Sequence, residues 1–106
     1  MKKLVFFVPE TYLEAVKSAV FDAGAGRIGD YEHCCWQTLG TGQFKPMSGA
    51  KPFIGQTGKL ELVGEYRVEL VCNEACIKDA VRALRRTHPY EEPAFDVTEL
   101  VDVEIL

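Results

Sequence analysis

The chain has 106 residues, of which 47% are hydrophobic and 26% charged, a balance that fits one compact domain over residues 1–106 and excludes a disordered polymer. Its formal net charge of -4 gives no general attraction to nucleic acid, even with Arg82, Arg85 and Arg86 close together. No apolar run is long enough to span a bilayer and LVFFV is too short for the apolar part of a signal peptide, so a cytoplasmic protein without a membrane partner is expected.

The opening KKLVFFV, residues 2–8, is β-prone and almost continuously apolar, which predicts a central strand ended by Pro9. In ETYLEAVKSAVFDAGAG the apolar residues Leu13, Val16, Val20 and Ala23 recur at helical spacing. Thr11 and Glu14 have the spacing of a capping box, and Gly24 stands where the helix stops. The segment EHCCWQTLGTGQFK, residues 32–45, contains a strand in which Cys34, Trp36 and Thr38 face one way and His33, Cys35 and Gln37 the other. Residues 40–58 hold five glycines and two prolines, too many to extend one strand, so a structured loop with short β pieces is expected there.

KLELVGEYRVELVC, residues 59–72, reads as a long strand with an irregularity at Gly64 and an apolar face continued by Val68, Leu70 and Cys72. Asn73 is placed to cap a second helix, whose stripe is Ile77, Ala80, Val81 and Leu84 and whose basic end suits the helix dipole. His88-Pro89 terminates it, and AFDVTELVDVEIL supplies a fourth strand. The order βαββαβ is the split βαβ pattern of an α+β, ferredoxin-like sandwich, an antiparallel sheet with two helices on one face. A core this small gains from a subunit interface, so oligomerisation is expected.

HCCWQTLGTGQFKP, KPFIGQTGKLE, THPYEEPAFDV and the opening VPETYLEAVKSAVFDAGAGRIGDY closely resemble the PII/CutA-like domain inserted into YqfO-type members of the NGG1-interacting-factor family. HPYEEP is also similar to the HPYE-containing segment of CutA proteins, the trimeric divalent-cation-tolerance family. The resemblance covers nearly the whole chain. It implies the insert domain alone, a homotrimer, and a regulatory or sensing module that binds a ligand. The dinuclear metal centre of the full-length family is built outside the insert, so no catalytic residue is carried over and the domain is expected not to be an enzyme.

Three sites compete. The first joins the glycine-rich loop of one subunit to the HPYEEP turn of its neighbour: Gly40, Gly42 and Gly55 let backbone donors approach a small-molecule or anionic ligand, Lys45 balances charge, and His88 and Tyr90 add switchable and aromatic contacts. The second is a CutA-like divalent-metal site, copper or zinc, on His33, Cys35 and His88. The third is a cysteine-dependent enzyme with Cys34 and His88 as its nucleophile pair. Against these stands the plain alternative: Cys34, Cys35, Cys72 and Cys76 as packed thiols, glycines that only permit bends, and HPYEEP as a helix stop with a solvated face.

Overall fold

A computed structural model describes residues 1–105. The elements follow the expected order: β1 (Lys2–Pro9), α1 (Leu13–Asp22), β2 (Trp36–Phe44), β3 (Glu61–Cys72), α2 (Ile77–Thr87) and β4 (Phe95–Glu99). The strands form one antiparallel sheet in the order β2-β3-β1-β4. Strand β1 is central, with Lys2 to Phe6 hydrogen-bonded between β3 on one side and β4 on the other.

Strand alternation explains the two faces. Leu4, Phe6 and Val8 of β1 and Val68, Leu70 and Cys72 of β3 point to one side, where they meet Val16 and Val20 of α1 and Ala80 and Leu84 of α2 in a buried core. The expected apolar stripes thus lie on the sheet, with Ala83 buried as well and Ile77 and Val81 packed at the margin. Among the described residues no helix covers the opposite face, to which Phe7, Glu65, Arg67, Glu69, Trp36 and Phe44 belong by alternation. Beyond Glu65, residues 61–64 of β3 have no β1 partner and pair with β2 alone, so the β2–β3 hairpin projects as an arm.

Several local expectations are corrected. Tyr12 is the N-cap of α1, no side chain caps it, and a short 3-10 turn at Glu10–Tyr12 precedes it, so Thr11 and Glu14 do not form a capping box. Asn73 does not cap α2 with its side chain; its carbonyl accepts the Cys76 and Ile77 N–H groups in a turn. Residues 33–35 are not part of a strand: His33 has φ 59, and Cys34 N–H donates to the Gly26 carbonyl at 2.7 Å. Strand β2 therefore begins at Trp36 and runs without a break through Gly40 and Gly42 to Phe44, so the first residues of the loop with short β pieces expected over 40–58 are a continuous part of β2. Its register with β3 is unbroken, with Thr41 opposite Gly64, so there is no irregularity at Gly64.

Gly24 ends α1 as expected, at φ +105, and a Cβ there would lie 2.8 Å from Cys76 Sγ. Gly29, at φ +55, has nothing within 4 Å. Both positions resist a side chain through backbone strain, but only Gly24 adds a collision with the start of α2. Chemical unfolding should therefore rank Gly24→Ala, at about 2–3 kcal/mol destabilised, well below Gly29→Ala, at about 1 kcal/mol. Equal losses would mean that the contact with Cys76 relaxes freely.

Candidate functional site

The site starts at the end of β1. Phe7 closes the sheet there: its N–H donates to the Ala94 carbonyl at 3.2 Å and its carbonyl lies 2.7 Å from His88 Nε2. His88 is 6% exposed, and its Nδ1 accepts the Tyr90 N–H at 3.1 Å. Since an amide can only donate, Nδ1 carries no proton and Nε2–H is the donor to Phe7: the ring is the neutral Nε2–H tautomer. Burial pushes the His88 pKa down from its ordinary value, outweighing the opposing pull of the Phe7 carbonyl and the Glu65 carboxylate.

Pinned this way, the HPYEEP turn brings Tyr90 toward the uncovered face of the sheet, where the segment after β2 meets it. The Tyr90 ring lies 6.1 Å from that of Phe44 and 6.5 Å from that of Phe53, tilted by 56° and 46°. Phe53 is held from behind by an edge contact with Tyr12 at 5.6 Å. The Lys51 N–H donates to Glu91 Oε1 at 3.1 Å and ties the loop to the turn. Between them lies a cavity of about 410 Å³, floored by Phe7 and Glu65 and walled by Phe44, Pro46, Phe53 and Tyr90.

The Tyr90 hydroxyl is buried without a partner of hydrogen-bond geometry, although the Glu65 carboxylate is beside it. Burial first and Glu65 second raise the Tyr90 pKa far above that of a free phenol, so it stays neutral at any physiological pH. Glu65 itself extends over Gly42: a Cβ at position 42 would collide with the Glu65 carboxylate. The room that Gly42 leaves is thus filled by a side chain of the same subunit.

Of the residues expected at the ligand site, Lys45 and Tyr90 line the cavity. Gly40 and Gly42 instead line a neighbouring groove on the sheet face with Trp36, Thr38 and Arg67. Gly55, at φ +94, packs over Glu61 and Phe44 and serves a bend. His88 lies beneath the site with both nitrogens engaged, which leaves it no free lone pair for a ligand. The loop and the HPYEEP turn meet within one subunit, where the sequence reading joined them across two. Phe7, Phe44, Phe53 and Glu65 were not singled out from sequence; aromatic residues flanking a Gly/Pro-rich loop were the available signal for Phe44 and Phe53, and a strand glutamate gave none for Glu65.

The metal set is not assembled within one subunit. His33 stacks on Phe21 at 4.9 Å near the end of α1, and Cys34 there is linked through Gly26 to Val71, opposite Lys3 of β1. His88 is at Phe7, roughly 13 Å further along that strand. Among the described residues no group of three His, Cys, Asp or Glu side chains is placed to hold a metal ion. The same separation keeps Cys34 from His88, and Cys72 is a core thiol whose pKa burial pushes up, with Cys76 adding to the effect. Among the described residues no helix is long and apolar enough to cross a membrane.

No family model matches the chain. It is 52% identical over 101 residues to the GTP cyclohydrolase 1 type 2 homolog of Mycobacterium tuberculosis, an alignment covering 95% of this chain and 27% of that protein. With the Bacillus subtilis protein of the same name it shares 50% over 97 residues, covering 92% and 26%. The crystal structure of a Bacillus cereus protein related to NIF3 superposes with a TM-score of 0.81 at 42% identity, over 95% of this chain and 26% of that one. The PII-like protein CutA from Nostoc sp. PCC 7120 superposes with a TM-score of 0.68 at 17% identity, over 100% and 86%, which shows a shared fold. Fold and topology make the chain a PII/CutA-like domain of the ferredoxin-like class. Its sequence is similar to a segment of the GTP cyclohydrolase 1 type 2 homologs and of the NIF3-related protein, and it spans about a quarter of the length of the curated relatives it matches.

The His88 clamp gives the domain a pH response of definite sign. A buried neutral histidine that becomes protonated in the unfolded chain contributes stability above the unfolded-state pKa of about 6.5 and loses it as pH falls toward the lower folded value. His88→Gln should be about 1–3 kcal/mol less stable at pH 7.5, because Phe7 and Tyr90 lose a well-placed partner. It should also lose less stability than the wild type between pH 7.5 and 5.5. Urea unfolding at the two pH values measures both effects, and parallel profiles would contradict the assignment of a neutral buried ring.

Proposed function

We propose that this domain is a small-molecule-binding module of PII/CutA type that acts by sensing or regulation and assembles as a homotrimer. The observation that carries the binding reading is the cavity of about 410 Å³ between the loop after β2 and the HPYEEP turn, within the range of small-ligand sites. Its composition supports binding: aromatic and aliphatic walls enclose a few polar groups, with Glu65 at the floor and Lys45 and Glu92 in the lining. The reaction named for the GTP cyclohydrolase 1 type 2 homologs belongs to proteins about four times as long, and we propose no turnover for this segment.

Assembly is supported by apolar groups that one subunit leaves in water. Trp36 on the uncovered sheet face is 63% exposed, and Leu39 and Leu62, on the opposite side of the β2–β3 hairpin, are 56% and 64% exposed. Side chains of this size on both faces of one hairpin suit burial against further copies of the chain. Sedimentation at micromolar concentration should give the mass of a trimer for the wild type and smaller species for Trp36→Lys and Leu62→Lys, since each places a charge in the contact. A wild-type monomer throughout a dilution series would remove the trimer from the proposal and leave the binding reading to be tested on its own.

A further inference from the structure

The lining of the cavity has a definite electrical sign. Three carboxylates, Glu65, Glu91 and Glu92, face a single ammonium, Lys45. Among the described residues none of the three pairs with a lysine or arginine: the cation nearest in sequence to Glu65, Arg67, pairs with Glu69 at 3.5 Å while lying over the Phe7 ring. Glu91 is occupied in holding the Lys51 N–H. Glu65 has the Tyr90 hydroxyl beside it in place of a counter-ion. A phosphate or carboxylate entering here would meet like charge on two walls, which runs against the anionic ligand expected from the glycines.

The aromatic residues add to the same preference. Phe44 and Phe53 are each tilted to Tyr90, by 56° and 46°, so neither pair is a closed face-to-face stack, and all three rings line the cavity. Open ring faces present the negative side of the aromatic quadrupole, which attracts cations. Met47 and Pro46 supply polarizable and apolar contacts for an uncharged body.

Resting on the reading of this cavity as the binding site, we propose that its ligand is a small organic cation, a flat or aliphatic body bearing a protonated amine or amidine, with the charge directed at Glu65 and the body between Phe44, Phe53 and Tyr90. The cation supplies the missing partner for Glu65. Once the ligand fixes the Glu65 side chain, the Tyr90 hydroxyl, which keeps its proton, donates a hydrogen bond to that carboxylate. Lys45 is then a bystander or a mild opponent of binding.

Tryptamine and indole-3-acetate share one ring system and differ in the sign of the side-chain charge; benzamidine and benzoate are a second such pair. Calorimetry on the full chain should show each cation binding at least roughly tenfold more tightly than its anionic counterpart, the scale of one charge contact with aromatic support. Glu65→Gln, which keeps shape and removes charge, should weaken tryptamine by about tenfold, and Phe53→Ala should weaken it as well, while Lys45→Ala leaves it equal or tighter. Ring resonances of Tyr90 and Phe53 should shift on titration, which locates the ligand. Anions that bind more tightly, shift these resonances and depend on Lys45 would overturn the cation and keep the cavity as the site. Cation binding that moves neither resonance and survives both Glu65→Gln and Phe53→Ala, or no binding by any of the four probes, would overturn the cation together with the site.

Discussion

Everything at the functional end of this domain depends on how one residue, Phe7, is held. Two residues before the end of β1, it donates its N–H to the Ala94 carbonyl and accepts the His88 Nε2–H at its own carbonyl, so both of its backbone groups are taken by His88 and by the residue that follows HPYEEP. A buried imidazole that must stay neutral is a demanding fastener, since a proton on Nδ1 would break the bond from Tyr90 and leave a charge in a desolvated place. In return it fixes two chain segments at once. The turn crosses the end of the sheet with His88 on the core side and Tyr90 toward the uncovered side, and the cavity exists because of that crossing.

Much of the architecture was legible because burial imposes periodicity. The inward residues of β1 and β3 and the stripes of both helices are in the sequence pattern, and βαββαβ follows from their order. What failed had local form but was decided by partners elsewhere. Five glycines over residues 40–58 suggest a loop, yet Gly40 and Gly42 are kept extended by continuous pairing with β3. Thr11 and Glu14 have the right spacing for a cap, but a 3-10 turn takes up that stretch. His33 leaves the extended conformation because Gly26 is bonded to both Val71 and Cys34 and bends the segment before β2.

The site divides in the same way. HPYEEP stood out as a run that stops a helix and presents polar groups, and Tyr90 and Lys45 do line one cavity. The role of His88 was not legible, because the partner carbonyl at Phe7 is 81 residues away in the chain. Glu65 was hidden by its context: one glutamate among several on a long strand becomes the cavity floor only when β2 places Gly42 beside it and the turn places Tyr90 above it. In the sequence the glycines have the pattern of a cradle for an anion. The space at Gly42 is instead occupied by an anion of the protein's own.

That substitution bears on how the proposed binding and the proposed assembly would communicate. Phe7 and Glu65 belong to the cavity and also to the adjoining groove of about 430 Å³ on the sheet face, lined by Trp36, Arg67 and Glu69. A second subunit seated on the uncovered face would touch the same two side chains that floor the cavity. Any shift of the Glu65 carboxylate needed to meet a ligand then changes the charge presented to that subunit, with Arg67 and Glu69 next to it on the same face. By linkage, assembly would change ligand affinity by the same factor that ligand changes assembly. A small domain with an uncovered sheet face and a charged residue shared between two recesses has the physical means for such coupling, without any moving lid.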